Sequence, residues 1–252
     1  MKNLKDKKIL LIICGGIAAY KSLETIRILK KNACVIKTIL TKSAKEFVTP
    51  LSVASLSQGK VYEDLFSVEN ETEMSHIALS RWADLILIEP ATANTISKLA
   101  KGSAEDLAST VILASNKPIF LVPAMNIRMW EHPSTRGNLE ILKKYSYKII
   151  GPVIGEMACG EYGEGKMTEP LDVVNQINEY ISVINDNNEN IHVSGHPAEE
   201  ELIKTNGTNN LTITKQLVTM SLDSEMISKH SIEGVFAQLS KHEVRNTLQN
   251  LT

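Results

Sequence analysis

The chain predicts a Rossmann-like, doubly wound parallel α/β sheet, and three observations carry that expectation. Short apolar runs recur through residues 1–184, each closes at a turn rich in glycine, threonine or proline, and stretches of helical period separate them. Strands joined through helices pair in parallel by right-handed crossovers, so helices cover both faces of the sheet.

In order, residues 9–14 read as a fully buried strand, Gly15-Gly16 as its turn, and 18–31 as a helix with Leu23, Ile26 and Leu29 on one face. Residues 34–40 give a second strand, 43–57 a helix interrupted at Pro50, and 85–89 a third strand closed by Pro90. A helix over 97–115, a strand over 118–122 stopping at Pro123, a helix over 133–144, a strand over 147–150 and a helix over 171–184 complete the pattern. In such sheets ligands sit beyond the carboxyl ends of the strands, so the loops after Ile13, Leu40, Ile88 and Val122 are where chemistry is expected.

The 252 residues leave room for a domain over 1–184 and a second segment, 185–252, that opens with the polar run 185–190 and contains a single aromatic residue, Phe236. This segment reads as a linker and tail of unknown role, in which 231–248 has helical spacing. A formal net charge of −2 argues against a nucleic-acid surface or a polybasic membrane patch and favours small-molecule work. The three cysteines, Cys14, Cys34 and Cys159, are too few and too scattered for a disulfide framework or a zinc cluster, which suits a reducing cytoplasm. Lys5 to Lys8 followed by an apolar run imitates a secretory signal, but the run stops at Gly15-Gly16 and leads into an amphipathic helix instead of a cleavage site.

Gly15-Gly16-Ile17-Ala18-Ala19-Tyr20-Lys21 lies where a strand turns into a helix, and free backbone N–H groups there suit a phosphate or simply form a tight turn. Thr41-Lys42-Ser43 brings hydroxyls to the same edge, for a phosphate monoester or, at Ser43, for a helix cap. Pro90-Ala91-Thr92-Ala93-Asn94-Thr95 pairs small residues, which admit a flat ring, with donors and acceptors around it. Asn126, just past the fourth strand, can donate to a carboxylate and accept from an amine. Met125, Met129 and Trp130 beside it are more ordinary as core. His76 can move protons near neutral pH, although a lone histidine is more often structural. His192 and His196 have i, i+4 spacing without a third ligand, so no metal is expected. Finally, Gly155-Glu156-Met157-Ala158-Cys159-Gly160-Glu161-Tyr162-Gly163-Glu164-Gly165-Lys166-Met167 sets a thiol in a glycine-rich loop, the composition of a mobile cover over a ligand.

Together these strings, in this order from about Lys7 to Ile184, closely resemble the flavoprotein domain of bacterial phosphopantothenoylcysteine decarboxylases. The resemblance implies FMN and a place in coenzyme A biosynthesis. In that family a cysteinyl thiol is oxidised by the flavin, CO2 leaves, and the enethiolate is protonated and reduced to 4'-phosphopantetheine. By motif, Gly15, Gly16, Ile17, Ala18 and Thr41 would hold the FMN phosphate side, and Ala91, Thr92, Ala93 and Asn94 would line the flavin. His76 would be the base, Asn126 would hold the substrate carboxylate, and Met125 would wall the pocket. Ala158 and Gly160 would flank the substrate, and Cys159 would be the proton donor. Homo-trimers or dodecamers, with His76 acting across an interface, are implied as well. Glu164 and Lys166 replace the family's usual proline and arginine, Glu105 a usual aspartate, Ser103 an apolar residue, and His132 a common asparagine read as structural. Nothing after Asn185 resembles the CTP-using synthetase domain into which many relatives continue. A peptidyl-cysteine decarboxylase, a non-catalytic flavoprotein regulator and a remnant of a bifunctional enzyme are the alternatives.

Overall fold

The computed structural model describes residues 1–65 and 75–193. The expected helix over 231–248, the residues Met74 and His196, and most of the 185–252 segment lie outside them.

Six strands form one parallel sheet: β1 (Lys8–Ile13), β2 (Val35–Leu40), β3 (Val61–Tyr62), β4 (Leu85–Ala91), β5 (Ile119–Pro123) and β6 (Lys148–Ile149), in the order β3-β2-β1-β4-β5-β6. This is the doubly wound order, with its switch point between β1 and β4, whose register runs from Ile9 opposite Leu85 to Ile12 opposite Ile88. Successive side chains of β1 point to opposite faces and both faces are covered, so all five residues from Ile9 to Ile13 are buried. Ile9, Leu11 and Ile13 pack with α1 (Ala19–Lys31), α2 (Pro50–Ser57) and α8 (Pro170–Val193). Leu10 and Ile12 pack with α3 (Ser75–Trp82), α4 (Ala93–Ala100), α5 (Leu107–Leu113) and α7 (Pro133–Lys144).

Five elements differ from the sequence reading. The helix expected over 97–115 is two helices, because the chain leaves α4 through Gly102 at φ +67 and restarts at Asp106, whose carboxylate and Ser109 form a capping box. The helix expected over 43–57 is a 3-10 turn, Lys42–Glu46, followed by α2, with Pro50 at the first helical position and Thr49 Oγ1 accepting from the Ser52 N–H. β3 is an added edge strand of two residues. The glycine-rich loop is an antiparallel hairpin, β7 (Val153–Glu156) and β8 (Tyr162–Lys166), with Glu156 opposite Tyr162. The last helix, expected over 171–184, continues through the polar run to Val193. Among the described residues no helix is long and apolar enough to cross a membrane.

Candidate active site

Two cavities flank the switch point. The first, of about 650 Å³, lies between the β1 turn, the start of α1, the β5 exit loop and the β7–β8 hairpin. The second, of about 640 Å³, lies between the β2 exit, the start of α4 and the α4–α5 connection. They adjoin, because Gly15, Thr92, Ala93 and Met129 line both.

The β1 turn is built for close approach. Gly15 packs directly on the Cβ of Ser43, and its missing side chain brings the 3-10 turn after β2 against the turn after β1. Gly16, Ile17 and Ala18 line the first cavity. α1 begins after Ala18 with no side-chain cap and no acidic residue in its first turn; the Ala19 N–H donates to the Gly16 carbonyl at 2.9 Å and the Lys21 N–H to the Ala18 carbonyl at 3.0 Å, so what this turn offers an anion is chiefly the positive end of the helix dipole. Thr41 lines the second cavity, and its hydroxyl donates to the carbonyl of Ile13 at 3.3 Å. Asn94, in the first turn of α4, lines the second cavity. Thr92 caps that helix, its hydroxyl accepting from the Thr95 N–H at 3.3 Å.

Asn126 caps α6 (Ile127–Glu131), a short helix within the loop expected after Val122. Its Oδ1 accepts from the Met129 N–H at 2.8 Å, which orients the amide and leaves Nδ2 as the group able to meet a ligand. The amide therefore acts as a donor, suited to a carboxylate. Met125 lines the same cavity, and its N–H donates to the Gly165 carbonyl at 3.1 Å, tying the hairpin to the β5 exit.

At the hairpin tip the Met157 N–H donates to Glu161 O and the Gly160 N–H to Met157 O, both at 2.9 Å. Cys159 projects from this turn with Sγ 3.7 Å from Glu161 Oε2, and with Ala158 it lines the first cavity. The other two thiols are buried. Desolvation pushes both Cys14 and Cys34 up to about 11, so neither is a ready thiolate. Cys159 is the exposed cysteine.

The hairpin is anchored through Glu164. Arg136 Nη2 donates to Glu164 Oε2 at 3.2 Å, while its guanidinium lies 4.4 Å from the ring centroid of buried Trp130. His132 is structural as expected, since its Nδ1 accepts the Ser134 N–H at the start of α7. Sequence reasoning missed three features: the Arg136–Glu164 anchor, the Lys21–Glu169 pair in the cavity wall, and Glu89, buried at the end of β4. Glu89 was visible as the lone charge inside an otherwise apolar strand.

Asn126, Cys159, Met125 and Ala158 thus share one cavity with Gly15 to Ala18. His76, half-buried on α3, lines neither cavity. Ala91 is buried in the sheet, its carbonyl accepting from the Ala124 N–H, and Gly160 sits at the hairpin tip, and neither lines these two cavities.

A doubly wound sheet with its concave sites at the switch point places the chain among the α/β proteins that bind ligands at the carboxyl edge of the sheet. The chain belongs to the Flavoprotein family, whose model matches residues 1–182. It is similar to the coenzyme A biosynthesis bifunctional protein CoaBC of Haemophilus influenzae, 41% identical over 201 residues, which are 79% of this chain and 50% of that protein. The chain spans about half the length of such curated relatives. Among solved structures, a cysteine-to-serine mutant of PPC decarboxylase complexed with pantothenoylaminoethenethiol is 30% identical with a TM-score of 0.62, covering 70% of this chain and 98% of that one. The FMN binding protein AtHal3 is 31% identical with a TM-score of 0.59, covering 70% and 97%.

Proposed function

We propose that this chain catalyses the FMN-dependent decarboxylation of 4'-phosphopantothenoylcysteine to 4'-phosphopantetheine, a carboxy-lyase step of coenzyme A biosynthesis. The observation that carries the reading is that Asn126 and Cys159, from separate elements, line one cavity beside the phosphate-ready start of α1. The names of the similar proteins, CoaBC and PPC decarboxylase, support the same reaction.

FMN fits the residues present. The uncapped first turn of α1 with Gly15, Gly16, Ile17 and Ala18, together with Thr41, would hold its phosphate side. Thr92, Ala93 and Asn94 would border the ring, while Ala91, buried with its carbonyl bonded to the Ala124 N–H, holds that loop against the β5 exit and does not meet the ring. When bound, the flavin would supply the two-electron redox chemistry of the reaction.

The remaining work falls to the chain. Asn126 Nδ2 donates to the substrate carboxylate and holds it until CO2 leaves, with Met125 and Ala158 walling the cysteinyl end and Gly160 letting the hairpin tip turn over it. Cys159 gives its proton to the reacting carbon. His76 acts as the base from a neighbouring protomer of a homo-trimer, or of a dodecamer of such units, because it lines neither cavity of its own chain. The exposed thiol of Cys159 suits a reducing cytoplasm.

The purified protein is expected to be yellow and to release CO2 from phosphopantothenoylcysteine. The Cys159→Ser variant should keep its flavin and accumulate oxidised enethiol in place of phosphopantetheine. A colourless protein that does not take up FMN would overturn the proposal, and analytical ultracentrifugation showing a monomer would remove the role given to His76.

A further inference from the structure

Resting on that reading, we propose that Lys21 and Lys166, held together by Glu169, form the subsite for the substrate's terminal phosphate monoester. Lys21 Nζ donates to Glu169 Oε1 at 2.7 Å, and Lys166 Nζ stands 3.5 Å from the same oxygen. The three side chains come from α1, the end of β8 and the residue preceding α8, and all three line the first cavity. Among the described residues no other lysine or arginine lines it, and the second carboxylate of its wall, Glu156, stands at the far end of β7 next to the hairpin tip. Two ammonium groups share the Glu169 carboxylate, so this three-residue cluster itself carries a net positive charge. The Lys21 side chain is only 12% exposed, and a charge so shielded from water interacts more strongly with an entering anion.

The hairpin sets the distance. Cys159 is at its tip and Lys166 at its base, where Lys166 pairs with Val153. From Glu156 back to Val153 the strand advances about 10 Å, before the turn that carries Cys159 is added. The substrate spans roughly 15 Å from its thiol-bearing carbon to phosphorus when extended. Its cysteinyl end at Cys159 and Asn126 therefore leaves the phosphate near the base of the hairpin. Gly155 makes the arrangement possible. A Cβ added there would stand 2.7 Å from Lys166 Cδ, so the bare glycine lets the lysine lie across β7 toward Glu169. The two phosphates are then told apart by different chemistry, the positive end of the α1 dipole for the cofactor and paired ammonium groups for the substrate.

The test is steady-state kinetics of the full FMN-loaded chain on phosphopantothenoylcysteine and on pantothenoylcysteine, which lacks the phosphate. The wild type is expected to prefer the phosphorylated substrate at least tenfold in kcat/KM. Lys21→Met and Lys166→Met should each lower that preference several-fold, mainly through KM, the double variant should abolish it, and Lys21→Arg should restore most of it. Equal losses on both substrates would overturn the subsite and mark the cluster as a latch between α1 and the hairpin. Loss of flavin from the variants would assign the lysines to the phosphate of FMN instead. A wild type that turns over both substrates equally would sink the subsite and leave the decarboxylase standing, whereas an FMN-loaded wild type that turns over neither would sink both.

Discussion

Thr25 Oγ1 donates to Glu89 Oε1 at 2.7 Å, inside the protein, where both residues are fully shielded from solvent. One turn earlier on α1, Ser22 Oγ donates to the Glu89 carbonyl at 2.7 Å. Helix α1 is thereby pinned to the carboxyl end of β4, so the glycine turn before α1 and the Pro90–Thr95 loop are held by one carboxyl residue. Among the described residues Glu89 Oε2 has no hydrogen-bond partner.

That half-satisfied carboxyl makes stability depend on pH. Burial pushes Glu89 up to about 7, against the opposing effects of the Thr25 hydroxyl and the Lys21 charge. The folded state therefore holds this proton more tightly than the unfolded chain, and stability is lost as pH rises from about 4.5 through 7. The full cost above that range is about 3 kcal/mol. Glu89→Gln keeps an oxygen for Thr25 and cannot ionise. In urea unfolding it should match the wild type near pH 4.5 and exceed it at pH 8, by a margin that closes as pH falls. Parallel curves across that range would show that Glu89 does not titrate there.

Asn126 caps α6 and is proposed to hold the substrate carboxylate, two purposes that substitutions can separate. Asn126→Asp retains an oxygen to cap α6 but puts an anion where Nδ2 stood. It should leave the melting temperature nearly unchanged and lower kcat/KM by about 100-fold or more, since a donor becomes a repelling charge. Asn126→Ala loses the cap as well and should destabilise by about 1 kcal/mol. An active Asn126→Asp enzyme would refute the carboxylate contact.

Most of the sheet could be read directly, because a strand buried on both faces announces itself as an unbroken apolar run, as in Ile9 to Ile13 and Leu85 to Ile88. β3 could not be, since two residues carry no period. The 97–115 stretch kept an apolar stripe across a real break, and the stronger local signal, Asp106 three residues before Ser109, was the one that decided the chain. The hairpin was hidden for another reason. Glycines at 155, 163 and 165 depress strand propensity, and what orders them is tertiary: the Met125–Gly165 hydrogen bond and Gly163 packed against Ile127. Cys159 and Asn126 were legible as chemistry, but that they share a cavity while His76 stands apart is a matter of topology that no local pattern contains.

The hairpin's anchor predicts a graded effect. Arg136 contributes an exposed ion pair to Glu164, about 0–1 kcal/mol, and a stack on Trp130 of similar size. Arg136→Ala should lower the melting temperature by only a few degrees while raising KM several-fold and speeding proteolytic cleavage within 153–166. Glu164→Gln, which loses the ion pair and keeps the stack, should show a smaller change in the same direction. Unchanged cleavage in both would mean that the Met125–Gly165 contact alone secures the hairpin.

Gly15 and Gly16 look equivalent in the sequence and are not equivalent in space. An added Cβ at Gly15 would overlap the Ser43 side chain and come within 2.6 Å of its backbone carbonyl carbon, so no rotamer change relieves it and the Lys42–Glu46 turn must move. At Gly16 the nearest atom is Thr92 Cγ2 at 3.8 Å, an ordinary contact. Gly15→Ala should destabilise the fold by about 1–3 kcal/mol and weaken FMN retention at least tenfold, because the shift separates the two turns that would share the phosphate. Gly16→Ala should leave stability within about 0.5 kcal/mol of wild type. Thermal unfolding of both variants, with flavin absorbance measured after gel filtration, separates the two positions, and equal stability losses would show that the Gly15–Ser43 approach is not what holds the cradle together.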